Sequence, residues 1–99
     1  MAVYLISDVS VRNAEAFQIY GTLAADSITK YGGKYLARGG EVNALEGTWN
    51  PRTIIIVEFP NRERARTWYG SPEYALALEA RDTALRRNLI LVDGIGELV

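Results

Sequence analysis

Between Pro51 and Pro60 the chain reads Arg52 to Phe59, RTIIIVEF, with consecutive β-branched apolar residues at Ile54-Ile55-Ile56-Val57. Side chains along a strand point alternately to its two faces, so this run is apolar on both and needs cover on both. Such a strand belongs inside a sheet that is packed on each side. Pro60 ends it, having no N–H to give to the ladder.

The flanking residues extend the pattern. Ala2 to Val9, AVYLISDV, reads as a first strand, with Val3, Leu5, Ser7 and Val9 on one face and Ala2, Tyr4, Ile6 and Asp8 on the other. It too is apolar on both faces near its middle. From Asn13, a suitable N-cap, the period changes to that of a helix: Phe17, Tyr20, Ala24, Ile28 and Tyr31 recur at three- and four-residue steps, and Gly32-Gly33 stop it. Lys34 to Gly40, KYLARGG, is a second strand, with Lys34, Leu36 and Arg38 expected on one face and Tyr35 and Ala37 on the other. The connection EVNALEGTWNP is long for a hairpin; it carries turn signals at Glu46-Gly47 and Asn50-Pro51, with Trp49 between them as an aromatic to bury. After the Ile-rich strand, Asn61 caps a short helix whose Ala65, Trp68 and Tyr69 are expected inward. Gly70 breaks that helix, and Ser71-Pro72-Glu73 starts another, with Tyr74, Leu78, Arg81 and Leu85 as its inward stripe. Asn88 to Ile95, NLILVDGI, is a fourth strand.

Strand, helix, strand, strand, broken helix, strand, joined by right-handed crossovers, is the α+β, ferredoxin-like βαββαβ plan, a four-stranded antiparallel sheet. Ninety-nine residues suit a single domain over 1–99 with one core. The helices then cover one sheet face only. The second apolar face needs a partner, and the economical one is another copy of the chain, giving a homodimer through the sheet face about a two-fold axis. A ligand covering that face is the alternative.

Composition removes several chemistries. With no Cys there are no disulfides, thiolate nucleophiles or Cys-type metal sites, and with no His there is no imidazole base or haem ligand. No metal and no redox cofactor is expected. A net charge of -1 and a pI of 5.4 argue against nucleic acid as a partner. No apolar run is long enough for a membrane span and no basic leader opens the chain, so a soluble, cytoplasmic protein is expected. The basic residues gather at Arg62, Arg64 and Arg66 and again at Arg81, Arg86 and Arg87, and with Glu63, Glu79 and Asp82 beside them they read as solvated helix faces. Neither glycine pair has the spacing of a phosphate loop.

Five strings taken together resemble a known family: YGGKYLARGG from Tyr31, EGTW from Glu46, VEFP from Val57, WYGSPEY from Trp68 and LVDG from Leu91. In order and spacing they are similar to the bacterial family catalogued as domain of unknown function 1330. The resemblance covers nearly the whole chain. It implies a dimeric α/β barrel, within a superfamily that also holds cofactor-independent monooxygenases, muconolactone isomerases and haem-dependent chlorite dismutases, and it implies no particular activity. Asn13-Ala14 stands where that family more often has Asp-Pro, which keeps the helix cap.

Three charged residues interrupt apolar strands: Asp8, Arg38 and Glu58. A charge there must be paired or face a cleft, because desolvating it alone costs several kcal/mol. Antiparallel pairing of the second and third strands would bring Arg38 near Glu58. That pair is either a structural ion pair or a site in which Arg38 anchors an anionic ligand and Glu58 or Asp8 acts as base. Tyr35, Trp49, Trp68, Tyr69 and Tyr74 are the aromatics that could line it, or that simply pack. Two readings follow: a small enzyme-like protein acting on a small organic molecule in a cleft between helices and sheet, or a non-catalytic dimeric module that binds a ligand or a protein.

Overall fold

In a computed structural model, which describes residues 1–96, the Ile-rich segment is an interior strand of one four-stranded sheet. The elements are β1 (Val3–Val11), α1 (Ala14–Lys30), β2 (Lys34–Arg38), β3 (Thr53–Phe59), α2 (Arg62–Tyr69), α3 (Pro72–Ala84) and β4 (Leu85–Asp93). The sheet order is β2-β3-β1-β4 with every neighbouring pair antiparallel, the ferredoxin-like arrangement expected. Sheet and helices form a plate only 17 Å thick along its shortest axis.

Each helix begins where a polar side chain takes an orphan N–H. Asn13 accepts from Ala16 N at 2.8 Å, Asn61 from Arg64 N at 2.8 Å and Ser71 from Tyr74 N at 3.1 Å. Helix α1 ends at Gly32, whose φ of 85° lies in the left-handed region, and the Gly33 N–H then donates back to the Ile28 carbonyl at 2.8 Å. Gly33 is required for a second reason: a Cβ there would sit 2.5 Å from Ile28 and 2.9 Å from the Phe59 ring.

Between helices and sheet lie Val3, Leu5, Val9, Val57 and Phe59 from the strands, with Tyr20, Ala24, Ile28, Trp68, Tyr74 and Ala77 from the helices. Trp68 is the centre of the aromatic packing, 5.5 Å from Phe59 and 4.2 Å from Tyr74 between ring centroids. Its indole N–H is satisfied by the Ser27 hydroxyl at 2.9 Å, which in turn donates to the Ala24 carbonyl.

The opposite face carries no helix. Its middle row runs Ala37, Ile56, Ile6, Ile90 across all four strands, flanked by Lys34, Glu58, Tyr4, Val92 on one side and Ile54, Asp8, Asn88 on the other. Ile90 and Val92 are among the exposed large hydrophobics, so the two-sided apolar character expected of these strands is realised with one side open. No helix among the described residues is long and apolar enough to cross a membrane.

Three sequence expectations are corrected. The fourth strand starts at Leu85, not at Asn88, because Val9, Ser10 and Val11 continue β1 and pair with Arg87, Arg86 and Leu85. The Ala84 carbonyl, instead of accepting from further helix, takes the N–H groups of Arg12 and Asn13. Tyr69, expected inward, is half exposed. Finally, β2 is bulged: Tyr35 pairs with Val57 and Ala37 with Ile56, leaving Leu36 as an extra residue. The bulge reverses the alternation, so Arg38, opposite Ile55, shares the helix-side face with Tyr35.

Candidate functional site

The turnover of β2 places Arg38 at one edge of a cavity of about 480 Å³ between α1 and the sheet. Its floor is Leu5, Ser7 and Val9 of β1 with Thr53, Ile55 and Val57 of β3; its roof is Phe17, Gln18, Tyr20 and Gly21 of α1. Trp68 and Leu85 help close the inner end, and Tyr35 and Arg87 complete the walls. Arg38 and Arg87 stand on the two edge strands, so their guanidinium groups approach the same space from opposite sides of the floor.

Arg38 stacks on Tyr35, 4.6 Å from the ring centroid, and one of its nitrogens is 3.4 Å from the Gly21 carbonyl. Gly21 is what admits it. A Cβ on Gly21 would meet that guanidinium at 3.3 Å, and glycine costs a helix interior roughly 0.5–1 kcal/mol relative to alanine. At the other edge, Arg87 donates to the hydroxyl of Tyr20 at 2.5 Å and to that of Tyr74 at 2.6 Å. The two hydroxyls are 2.8 Å from each other. A helix, a second helix and a strand thus meet in one polar cluster at the wall of an otherwise apolar cavity.

The charge on these walls has one sign. Among the described residues the lining includes Arg38 and Arg87 and no carboxylate. The ion pairs among the described residues are Lys30–Glu73, Arg62–Asp93 and Arg81–Asp82, and neither cavity arginine takes part in any of them. A half-buried guanidinium held only by neutral phenols favours any anion that comes within reach. Burial pushes the Tyr20 hydroxyl well above its ordinary value, with Tyr74 adding to the rise and Arg87 opposing it. Burial likewise raises Tyr35. For Arg87 burial acts downward, but the Tyr20 and Tyr74 oxygens more than offset it. At neutral pH Arg87 is therefore a cation and the Tyr20 and Tyr35 hydroxyls are protonated.

Of the residues singled out in the sequence, Arg38, Tyr35 and Trp68 line the cavity, and Tyr74 reaches it through Tyr20 and Arg87. Glu58 and Asp8 do not. Both lie on the open sheet face, Glu58 across from Lys34 and Tyr4, and Asp8 accepting the Trp49 indole N–H at 3.0 Å. The expected approach of Arg38 to Glu58 is absent because the bulge puts them on opposite faces. Trp49 is held at the open face, and Tyr69 does not border the cavity: its ring packs 6.0 Å from that of Trp68 and 5.9 Å from that of Tyr74, towards β4. Tyr20 was read only as part of a core stripe, and Arg87 only as part of a charged helix. The signal for Arg87 is its spacing from Leu85, Leu89 and Leu91, which at period two puts it on the inward face once the segment is a strand.

No curated relative matches the chain. Among solved structures, a protein of unknown function from Rhodopseudomonas palustris superposes with a TM-score of 0.79 at 20% identity, covering 96% of this chain and 83% of that one. A cofactor-independent oxygenase from Streptomyces nogalater, SnoaB, gives 0.66 at 14% identity over 98% and 96% of the two chains. A dimeric protein of unknown function and ferredoxin-like fold from Bacteroides fragilis gives 0.55 at 15% identity over 94% and 96%. At these identities the likeness is one of fold. The family model for Domain of unknown function (DUF1330) matches residues 2–95, and the chain belongs to that family.

Proposed function

We propose that the protein binds, and in the enzyme-like reading transforms, a small organic anion in the cavity between α1 and the sheet, without metal or redox cofactor. One observation carries this reading: among the described residues, two arginines without carboxylate partners line an apolar cavity whose walls hold no acid. The volume suits a ligand of one or two rings, near the lower end of ordinary small-molecule pockets. That SnoaB, of similar fold, is a cofactor-independent oxygenase adds support by analogy alone. Arg38 and Arg87 are the anion-holding residues, Tyr20, Tyr35, Trp68 and Tyr74 the aromatic wall and its support. Glu58 and Asp8 have no part in this site.

The test is a thermal-shift series in which benzoate and 4-nitrophenolate are set against neutral matches, benzamide and 4-nitroanisole. Anions should raise the unfolding temperature in a concentration-dependent way and the neutral compounds should do so less. Equal shifts from both sets, or none from either, reject the reading.

The open sheet face supports a second element, a homodimer in which another copy covers the row Ala37, Ile56, Ile6, Ile90. The row is flanked by both signs of charge, Lys34 and Arg86 beside Glu58 and Asp8, so a copy laid on the same face meets apolar with apolar without a rim of a single sign. A dimer of this kind also fits a non-catalytic binding module, and turnover of a bound anion, not its binding, separates that module from an enzyme.

A further inference from the structure

The Tyr20–Tyr74–Arg87 cluster holds more protons than it has acceptors for. Each hydroxyl oxygen accepts an N–H from Arg87, and the two oxygens are 2.8 Å apart, so one hydroxyl donates to the other. The hydroxyl that receives keeps its own proton for another acceptor. Tyr74 is fully buried and does not border the cavity, whereas Tyr20 does. If Tyr20 donated, the proton of Tyr74 would be stranded in the core, at the cost that attends an unmade buried hydrogen bond. Tyr74 must therefore donate to Tyr20, and the described hydrogen bonds give the Tyr20 proton no acceptor in the protein.

Resting on the anion-binding reading above, we infer that the Tyr20 hydroxyl donates to a single oxyanion in the cavity, and that the site takes a phenol or enol in its deprotonated form. Arg87 spends one N–H of each terminal nitrogen on the two tyrosines, so the end of its fork is not open to a carboxylate. Beside the remaining guanidinium N–H groups, the Tyr20 hydroxyl adds one donor backed by a cation, which suits one oxygen. A neutral ligand hydroxyl finds no charged acceptor there, because the Tyr20 oxygen already accepts twice and, among the described residues, the lining offers only neutral acceptors such as Ser7, Gln18 and Thr53. The ligand's proton is released to solvent on binding. Burial keeps Tyr20 itself protonated across the ordinary pH range, so it stays a donor.

The experiment uses 4-nitrophenol, whose phenolate absorbs in the visible and whose neutral form does not, with binding measured by calorimetry beside 4-nitroanisole and benzoate. The bound probe should titrate about one pH unit or more below the free one, a preference of about tenfold or more for phenolate. Tyr20→Phe should abolish most of that displacement and weaken 4-nitrophenolate far more than 4-nitroanisole. Tyr74→Phe, which removes a hydroxyl of the same cluster and leaves the Tyr20 proton in place, should keep it. A bound probe with an undisplaced titration, or displacement lost in Tyr74→Phe and kept in Tyr20→Phe, overturns the inference and leaves the cavity reading standing. If benzoate binds and 4-nitrophenol does not, the inference alone fails; if none of the three compounds binds, both fail. Should Tyr20→Phe not fold, as judged by circular dichroism, the titration in wild type and Tyr74→Phe still decides, loss in the latter overturning the inference.

Discussion

The hydroxyls of Tyr20 on α1 and Tyr74 on α3 stand 2.8 Å apart, and Arg87 of β4 reaches between the two helices to bind both. The cluster ties helix to helix and helices to sheet through polar atoms, but its cation has no carboxylate partner among the described residues. That combination separates what stabilises the fold from what serves a ligand.

Arg87→Met removes the cation and keeps the stem's packing, while Tyr74 can still donate to Tyr20. Replacing a poorly compensated buried charge with an apolar side chain is often neutral or stabilising. Urea unfolding without ligand should therefore change by no more than about 1 kcal/mol in either direction, whereas stabilisation by benzoate or 4-nitrophenolate should be lost. An unliganded loss of about 3 kcal/mol or more would make Arg87 a structural residue instead.

Two glycines make opposite predictions from the same substitution. Gly33→Ala puts a methyl 2.5 Å from Ile28 and 2.9 Å from Phe59, inside packed core, and should cost roughly 1–3 kcal/mol. Gly21→Ala puts one 3.3 Å from the free end of the exposed Arg38, which can swing away, and gains helix propensity of about 0.5–1 kcal/mol. The second variant should melt higher and bind anions less well, since Arg38 loses its position over the Gly21 carbonyl. Thermal unfolding with and without benzoate checks both, and a Gly21→Ala protein of lower melting temperature would contradict the account.

The fold was legible because its signals are local and repeated. Caps at Asn13, Asn61 and Ser71, the Gly32-Gly33 stop and the two-sided strands each specify an element without reference to the others. The site was half legible. Arg38, Tyr35, Trp68 and Tyr74 announce themselves by type and position, but which face Arg38 takes is decided by a bulge at Leu36, and nothing in KYLAR marks a bulge. The same event removed Glu58 from the site, since a one-residue slip exchanges faces. Arg87 was hidden by a boundary: read as helix it is a solvated charge, read as strand it points at Tyr20. Where α3 stops depends on how far β1 runs beside it, a long-range pairing that local pattern does not contain.

Glu73 gives a pH prediction. Hydrogen bonds from Lys30 and Tyr31 hold its carboxyl well below the ordinary 4.5, at about 2, and the Tyr31 hydroxyl donates at 2.7 Å. The folded value is the lower one, so the contribution is fully present above about 4.5 and disappears as pH falls towards about 2. Glu73→Gln should lower the melting temperature at neutral pH and flatten its fall through that acid window. Parallel melting-temperature curves for the two proteins between these pH values would show that the clasp of α1 to α3 contributes nothing.

The last prediction concerns the open face. Ile90 sits on edge strand β4, 58% exposed, at the end of the row Ala37, Ile56, Ile6, Ile90. In an isolated subunit Ile90→Lys would change a solvent-facing position on an edge strand, where lysine is well tolerated. In a sheet-to-sheet dimer the same lysine would be buried against apolar residues of the other copy, with the desolvation cost of an unpaired charge. Wild type should therefore sediment as a dimer at micromolar concentration, with an interface above about 1,000 Å² and a melting temperature that rises with protein concentration. Ile90→Lys should sediment as a monomer with an unchanged far-ultraviolet spectrum, and its melting temperature should be lower and independent of concentration. Trp49 tests the same face from the loop. Its indole is 63% exposed in the single chain although its N–H is fixed to Asp8, so Trp49→Ala should weaken the dimer by about 1–3 kcal/mol if the second copy covers the ring. A wild-type protein that sediments only as monomer, or an Ile90→Lys protein that dimerises as wild type does, would leave the open face without its proposed partner.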